Sequence, residues 1–311
     1  MEINKNTISD DEINFQEIFG IISEKVLSII FITCISLVLS LVFAISSPNK
    51  YISSSLLAST GKNNSLSSSL SGFSGLAGIA GISLPQQSAS KSDEAIERIK
   101  SYNFFNTNIL PFIKLEDLLA AEDWDNYSNK VLYNASVFNS EDNKWIRKAK
   151  YPKKTIPSSQ EAYKKYKEII NISQDKNTDF ILVSVEHISP NLAKNWVDLI
   201  VKNINIEMRK IDQTTSSDAI KFLNESYENT KANELKQIIS KLLESQMQNL
   251  MLSSSREDYI FTIIQPAVVP EEKSSPNRLL IILLGILFGL FLGIFLVVTS
   301  FYWKKNSMES N

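Results

Sequence analysis

The chain has 311 residues, 43% of them hydrophobic, with 32 basic against 34 acidic side chains and a single cysteine. That near balance leaves no basic surplus to hold nucleic acid by counterion release. One cysteine excludes internal disulfide staples and cysteine-built zinc sites.

Residues 1–25 form a tail in which Glu2, Asp10, Asp11, Glu12, Glu17 and Glu24 outnumber Lys5 and Lys25. Residues 26–47 then make an uncharged apolar run that contains Cys34 and is long enough to span a bilayer. Ala44 with Ser46 resembles a small-residue cleavage site. The run is longer than the apolar core of a signal peptide and its leader is acidic, so it reads as an uncleaved anchor.

From Ser53 to Ser92 the chain is rich in serine and glycine, and Gly72, Gly75, Gly78 and Gly81 recur every third residue between Phe73, Leu76, Ile79 and Ile82. This composition fits a flexible tether. Its apolar half favours a weakly ordered segment that packs on a neighbouring subunit or on the membrane surface. The glycines lack the strand, helix and acidic partner of a dinucleotide-binding loop.

Asp93 to Glu186 reads as mixed structure. Ser92 is placed to cap a helix with an acidic first turn. Trp124, Tyr127, Val131, Tyr133, Trp145 and Tyr151 are scattered through turns and short elements, and most of them are expected in core or half-exposed positions. Residues 179–186, DFILVSVE, form a strand by their alternation and β-branched content.

Ser189 followed by Pro190 is a helix start, and apolar spacing is helical from Leu192 through Leu250. The polar stretch Asp212 to Ser217 is the expected bend in a helix system running over about 190–252. If nearly continuous, that system reaches about 95 Å and projects away from the membrane. Residues 258–265, DYIFTIIQ, return as a strand, and Pro266, Pro270 and Pro276 stiffen the connection that follows.

Residues 278–303 form the second membrane run, bracketed by Arg278 and by Lys304 and Lys305. Gly285, Gly289 and Gly293 line one of its faces and predict a close helix contact with the first run, with a neighbouring subunit or with another membrane protein. The two runs make residues 48–277 one large loop domain or two small ones, with residues 304–311 as a second tail. Basic residues near the membrane tie between the two sides, so they assign no orientation.

Several segments together resemble the Wzz-type chain-length determinants, polysaccharide co-polymerases of the two-helix class that lacks a kinase domain. They are DDEINFQEIFGII, PNKY at 48–51, GFSGLAGIAGISLP, SVEHISPNLAKNWVDLIV, and the strand entering a proline stretch before a glycine-bearing membrane helix. The resemblance is carried by both ends and by 180–300, and little by 94–170. Lys273 and Ser274 depart from it, standing where family members often have another proline.

The resemblance implies an α+β fold. Two transmembrane helices would flank a periplasmic mixed base, from which a long extended helix rises. It implies a bacterial inner-membrane, ring-like homo-oligomer with both tails cytoplasmic. Its partners would be a separate membrane polysaccharide polymerase and the growing lipid-linked glycan, and its role the control of O-antigen or related chain length without catalysis.

The residues agree with that role. His187 lacks a nucleophile context, Glu271-Glu272 and Asp10-Asp11-Glu12 lie on flexible flanks, and no metal, nucleotide or cofactor motif is present. The tail KKNSMESN lacks the kinase and tyrosine cluster of capsule-type relatives and the signalling helix of a two-helix sensor. An export adaptor of the same topology is the alternative function.

Overall fold

The computed structural model describes residues 20, 22–60, 90–255 and 258–309. They fall into two compact units, Met1–Asn49 with Ser275–Asn311, and Lys50–Ser274. In chain order the elements begin with α1 (Val26–Ser46) and β1 (Tyr51–Ser59).

After the Gly-repeat zone comes α2 (Lys91–Ile99). Its cap is Ser90 rather than the expected Ser92, in a reciprocal box where the Ser90 N–H donates to Asp93 at 3.2 Å. A run of short helical turns covers 102–112, including a π turn at Phe105–Ile109. Then follow α3 (Leu115–Leu119), the ribbon β2 (Ala121–Asp125) with β3 (Lys130–Tyr133), and the two-residue strands β4 (Phe138–Asn139) and β5 (Lys144–Trp145). Tyr133, Phe138 and Trp145 stack edge to face here; Trp124, Val131, Tyr133 and Trp145 are half-buried, as expected of most of that set, while Tyr127 and Tyr151 are fully exposed.

Next are α4 (Ser159–Ile169), β6 (Ile170–Gln174) and β7 (Ile181–His187), and then α5 (Pro190–Asn229) and α6 (Asn233–Ser255). β8 (Phe261–Gln265) and α7 (Arg278–Glu309) complete the order. Four strands form one antiparallel sheet in the order β6-β7-β1-β8, with Tyr51 opposite His187 and Ser59 opposite Phe261.

Two further corrections to the sequence reading come from partners distant along the chain. The serine-rich start of the Gly/Ser zone is the central strand β1, because Ser53 and Ser55 occupy its buried face. There they donate to the carbonyls of Val268 and Gln265 at 2.7 and 2.8 Å. Serine thus fills positions where alternation leads one to expect apolar residues.

The second correction concerns the long helix. α5 runs unbroken through 212–217, where Gln213 donates to the Ser253 carbonyl at 3.2 Å and Asp212 accepts from Lys91 and Tyr259. The break falls instead at 230–232. Asn229 and Thr230 turn their side chains back onto the carbonyls of Glu225 and Ser226, closing the helix end. α6 then folds back against α5, so the 40-residue α5 extends about 60 Å instead of continuing into a 95 Å rod.

The core of this unit lies under the sheet. The first half of α5 supplies Trp196, Ile200, Ile204 and Met208, which meet Leu57, Ile181, Val183 and Val185 of the strands and Phe104, Phe105 and Tyr166 from the helical side. Beyond Ser216, α5 contributes no buried residue, and Ser253 is the one buried residue of α6.

Candidate functional site

α1 and α7 are 21- and 24-residue candidates for crossing a membrane, with mean hydropathies of 2.8 and 3.1 over Val26–Ser46 and Arg278–Phe301. They pack antiparallel, since Gly285, Gly289 and Gly293 of α7 meet Ser40, Ser36 and Ile29 of α1 in descending order. A Cβ on Gly285 would overlap the Ser40 side chain. One on Gly289 would sit 2.6 Å from Ser36 Cβ, and one on Gly293 3.2 Å from Ile29 Cγ2. Close approach requires glycine at 285 and 289, while at 293 a Cβ would be tight but not overlapping.

Thr33, Ser36 and Ser40 form the answering small-residue stripe. Ser36 donates across the pair to the Gly285 carbonyl at 2.7 Å, while Ser40 returns its hydroxyl to the Leu37 carbonyl. Away from this seam Leu27, Phe31, Phe43, Leu279, Phe288 and Phe291 are all exposed. An apolar surface on every side of a helix pair is suited to lipid rather than water.

Arg278 ties the ends of the pair. The Ala44 carbonyl would ordinarily accept from the N–H four residues on, but that residue is Pro48, which has none. Arg278 Nε supplies the bond at 3.1 Å, and its Nη2 donates to Asn49 at 3.2 Å.

The proline stretch is held in the other unit up to Ser274. Pro266 and Pro270 flank Val268, the acceptor of the Ser53 hydroxyl, and Pro270 also borders a groove beside Tyr51. The Ser274 N–H and hydroxyl both donate to the Lys50 carbonyl, at 2.8 and 3.0 Å. Pro276 lies in the unit of the apolar helices, whose second segment begins at Ser275. Gly72, Gly75, Gly78 and Gly81 lie outside the described residues.

Asn205, unremarked in the sequence, is a buried amide on α5 that closes the start of β8. Its Oδ1 accepts from the N–H groups of Ile260 and Phe261 at 2.9 Å, and its Nδ2 donates to the Phe261 carbonyl at 3.0 Å. It pairs with Phe261 as a strand residue would.

His187 is buried at the end of β7. Its Nδ1 accepts from the Ser189 N–H at 3.0 Å, so Nε2 carries the proton donated to the Asp117 carbonyl at 2.9 Å. Burial holds its pKa below the ordinary histidine value. Both nitrogens serve the backbone, which makes this histidine structural.

Elsewhere Glu161 caps α4 and receives a two-pronged bond from Arg147 at 2.8 and 2.9 Å. That bond lowers the Glu161 pKa to about 2. Burial and the bond to Asp117 raise the Tyr133 pKa, and burial and the bond to Asp212 raise that of Tyr259. Among the described residues no group of three or more His, Cys, Asp or Glu side chains is arranged to hold a metal ion.

The hairpin of α5 and α6 presents Phe222, Leu235, Met247 and Met251 at 51–70% exposure. Helices seldom leave several apolar side chains of this size to water unless something covers them.

Two family models match this framework. The Wzz model, "Chain length determinant protein", covers residues 11–107, from before α1 through α2. The GNVR model, "G-rich domain on putative tyrosine kinase", covers 231–300, spanning α6, β8, the proline stretch and most of α7. No curated protein matches the chain significantly.

Among solved structures, a full-length bacterial polysaccharide co-polymerase is similar at 12% identity and a TM-score of 0.40, over 94% of this chain and 99% of that one. A fragment of WzzB, a polysaccharide co-polymerase from Salmonella Typhimurium, is similar at 13% identity and a TM-score of 0.28, over 73% of this chain and 100% of that one. With the chain-length model on the first apolar helix and β1, and the GNVR model on the return strand β8 and the second apolar helix, the chain carries a Wzz chain length determinant domain followed by a GNVR domain.

Proposed function

We propose that the protein is a non-catalytic, inner-membrane homo-oligomer that sets the length of O-antigen or a related surface polysaccharide made by a separate membrane polymerase. In this reading residues 1–25 and 304–311 are cytoplasmic, 26–47 and 278–303 cross the membrane, and 48–277 lie in the periplasm. The Gly72 to Gly81 zone and the α5–α6 hairpin make the contacts between subunits.

The observation that carries the proposal is the set of exposed apolar side chains on that hairpin, Phe222, Leu235, Met247 and Met251, in a chain that carries a chain length determinant domain. A second copy of the same hairpin is the simplest cover for them. The engagement of both His187 nitrogens supports the non-catalytic part. The GNVR match favours one other reading, an adaptor for capsule or exopolysaccharide export with the same topology.

Deleting the gene and resolving the envelope polysaccharide on a gel separates the two. A regulator predicts a changed length distribution with material still at the surface; an export adaptor predicts its loss from the surface. Light scattering of the detergent-solubilised protein should give a large homo-oligomer, and Phe222→Glu should shrink it. A monomeric wild type would overturn the oligomer.

A further inference from the structure

Beside the sheet of the Lys50–Ser274 unit lies an open groove of about 420 Å³. Tyr51 of β1, Trp124 of β2, Asn126 and Asn129 of the following turn, Asn191 of α5 and Glu271 line it. All belong to the Lys50–Ser274 unit. Its volume is within the range of about 300–1,000 Å³ usual for small-molecule sites.

The hydrogen bonds fix what the groove offers. An indole N–H can only donate, so the Asn129 atom 3.0 Å from Trp124 Nε1 is the amide oxygen. The same oxygen accepts from Asn191 Nδ2 at 2.7 Å. One amide oxygen is therefore used twice. The Asn129 NH₂ and the Asn191 carbonyl are left without partners among the described residues, one donor and one acceptor on neighbouring side chains. Asn126 also makes no side-chain bond there.

The aromatic wall is set just as firmly. Trp124 is tethered through its N–H and meets the Tyr51 ring edge-on, with centroids 5.6 Å apart and planes at 76°. An apolar ligand would leave the amides unpaired. Glu271 opposes an anion, and no lysine or arginine lines the groove to hold a phosphate backbone. A neutral pyranose matches all three features. Its C–H face packs on an indole, and vicinal hydroxyls, each donor and acceptor, satisfy the amide pair and the carboxylate.

We propose that this groove is a binding subsite for one or two neutral sugar units of a polysaccharide. The inference rests on the reading of the chain as a polysaccharide length regulator and adds that the protein touches the glycan itself.

The test is titration calorimetry on the full-length protein in detergent. The probe is delipidated surface polysaccharide from the producing strain, with dextran of matched size as control. Binding by the wild type should weaken at least tenfold in Trp124→Ala and in Asn126→Arg. The second variant alters an exposed, unpartnered side chain, so it keeps the test valid if the first misfolds. Absence of wild-type binding, or unchanged affinity in Asn126→Arg, would overturn the subsite.

Complementation of the deletion strain keeps the two readings apart. If the wild type and both groove variants restore the length distribution and none binds, the regulator stands and the subsite falls. If the wild type leaves the distribution unchanged, the regulator reading fails whatever the titration shows.

Discussion

Ser36 donates its hydroxyl to the backbone carbonyl of Gly285 at 2.7 Å, a contact across the two apolar helices that only a residue without a side chain at 285 permits. The bond measures how near the backbones come. Where Gly289 sits, the Thr33 Cα itself is 3.0 Å from any added Cβ, so relief by rotating a side chain is blocked.

Gly289→Leu should therefore separate the helices at a cost of about 1–3 kcal/mol, the usual scale for overpacking. The variant should still insert, because leucine suits lipid. Expression with resistance to alkaline extraction, beside a loss of thermal stability and a shift in glycan length, is the expected pattern. Normal stability and glycan length in all three Gly→Leu variants at 285, 289 and 293 would reduce the seam to ordinary lipid-facing surface.

Asn205→Ala should destabilise the Lys50–Ser274 unit strongly, since each buried polar group left unsatisfied costs about 1–3 kcal/mol. Asn205→Asp keeps the two accepted bonds and loses the donated one, so it should fall between. Urea unfolding of the full chain, followed by near-UV circular dichroism, would rank wild type above aspartate above alanine. Equal midpoints would show the clamp to be dispensable.

Removing the Arg278 guanidinium should leave the Ala44 carbonyl orphaned, because Pro48 has no N–H to serve it. Arg278→Ala is expected to lower thermal stability, and Arg278→Lys, which keeps a donor there, to lose less. Equal melting temperatures for wild type and Arg278→Ala would refute this account of the helix end.

Two acid windows follow from the displaced pKa values. His187 is held neutral by burial, below its ordinary 6.5; the unfolded chain binds the proton more readily, so stability present above that value is lost as pH falls through the lowered one. Glu161 falls from 4.5 to about 2 beside Arg147, so its contribution is full above 4.5 and disappears as pH drops toward 2. Melting temperatures between pH 7 and 2 should decline in both windows. Arg147→Met should flatten the more acidic one and leave the other; an unchanged acid limb would contradict the assignment.

Much of this architecture is legible in the chain because it depends on local chemistry. The Ser189-Pro190 start, the β-branched run into β7 and the two uncharged spans need no long-range information. What escapes is whatever depends on partners distant in sequence. Ser53 and Ser55 look like linker residues until the carbonyls of Val268 and Gln265 are beside them. The polar stretch at 212–217 imitates a break because Ser253, Lys91 and Tyr259, its partners, are invisible from its own composition.

The candidate site divides the same way. Gly285, Gly289 and Gly293 announce a close contact by spacing. The answering Thr33, Ser36 and Ser40 are spaced three and four apart within an apolar run, a signal that could have been read with them. The groove could not have been, since Tyr51, Trp124, Asn191 and Glu271 come from four separate stretches of chain.

The two hydrogen bonds that Ser274 donates to the Lys50 carbonyl set where the domain yields to force. β1 leaves Lys50 and β8 leads back toward Ser274, so both ends of the loop domain emerge at the same end of an antiparallel pair. Pulling those ends apart opens the pair like a zipper, one rung at a time, where a shear geometry would load many rungs at once. The first rung is the Lys50 carbonyl, and the next residue along the chain is Tyr51, in the wall of the groove. A mechanical disturbance entering at Lys50 and Ser274 thus reaches the groove wall at Tyr51 before the rungs deeper in the β1–β8 pair.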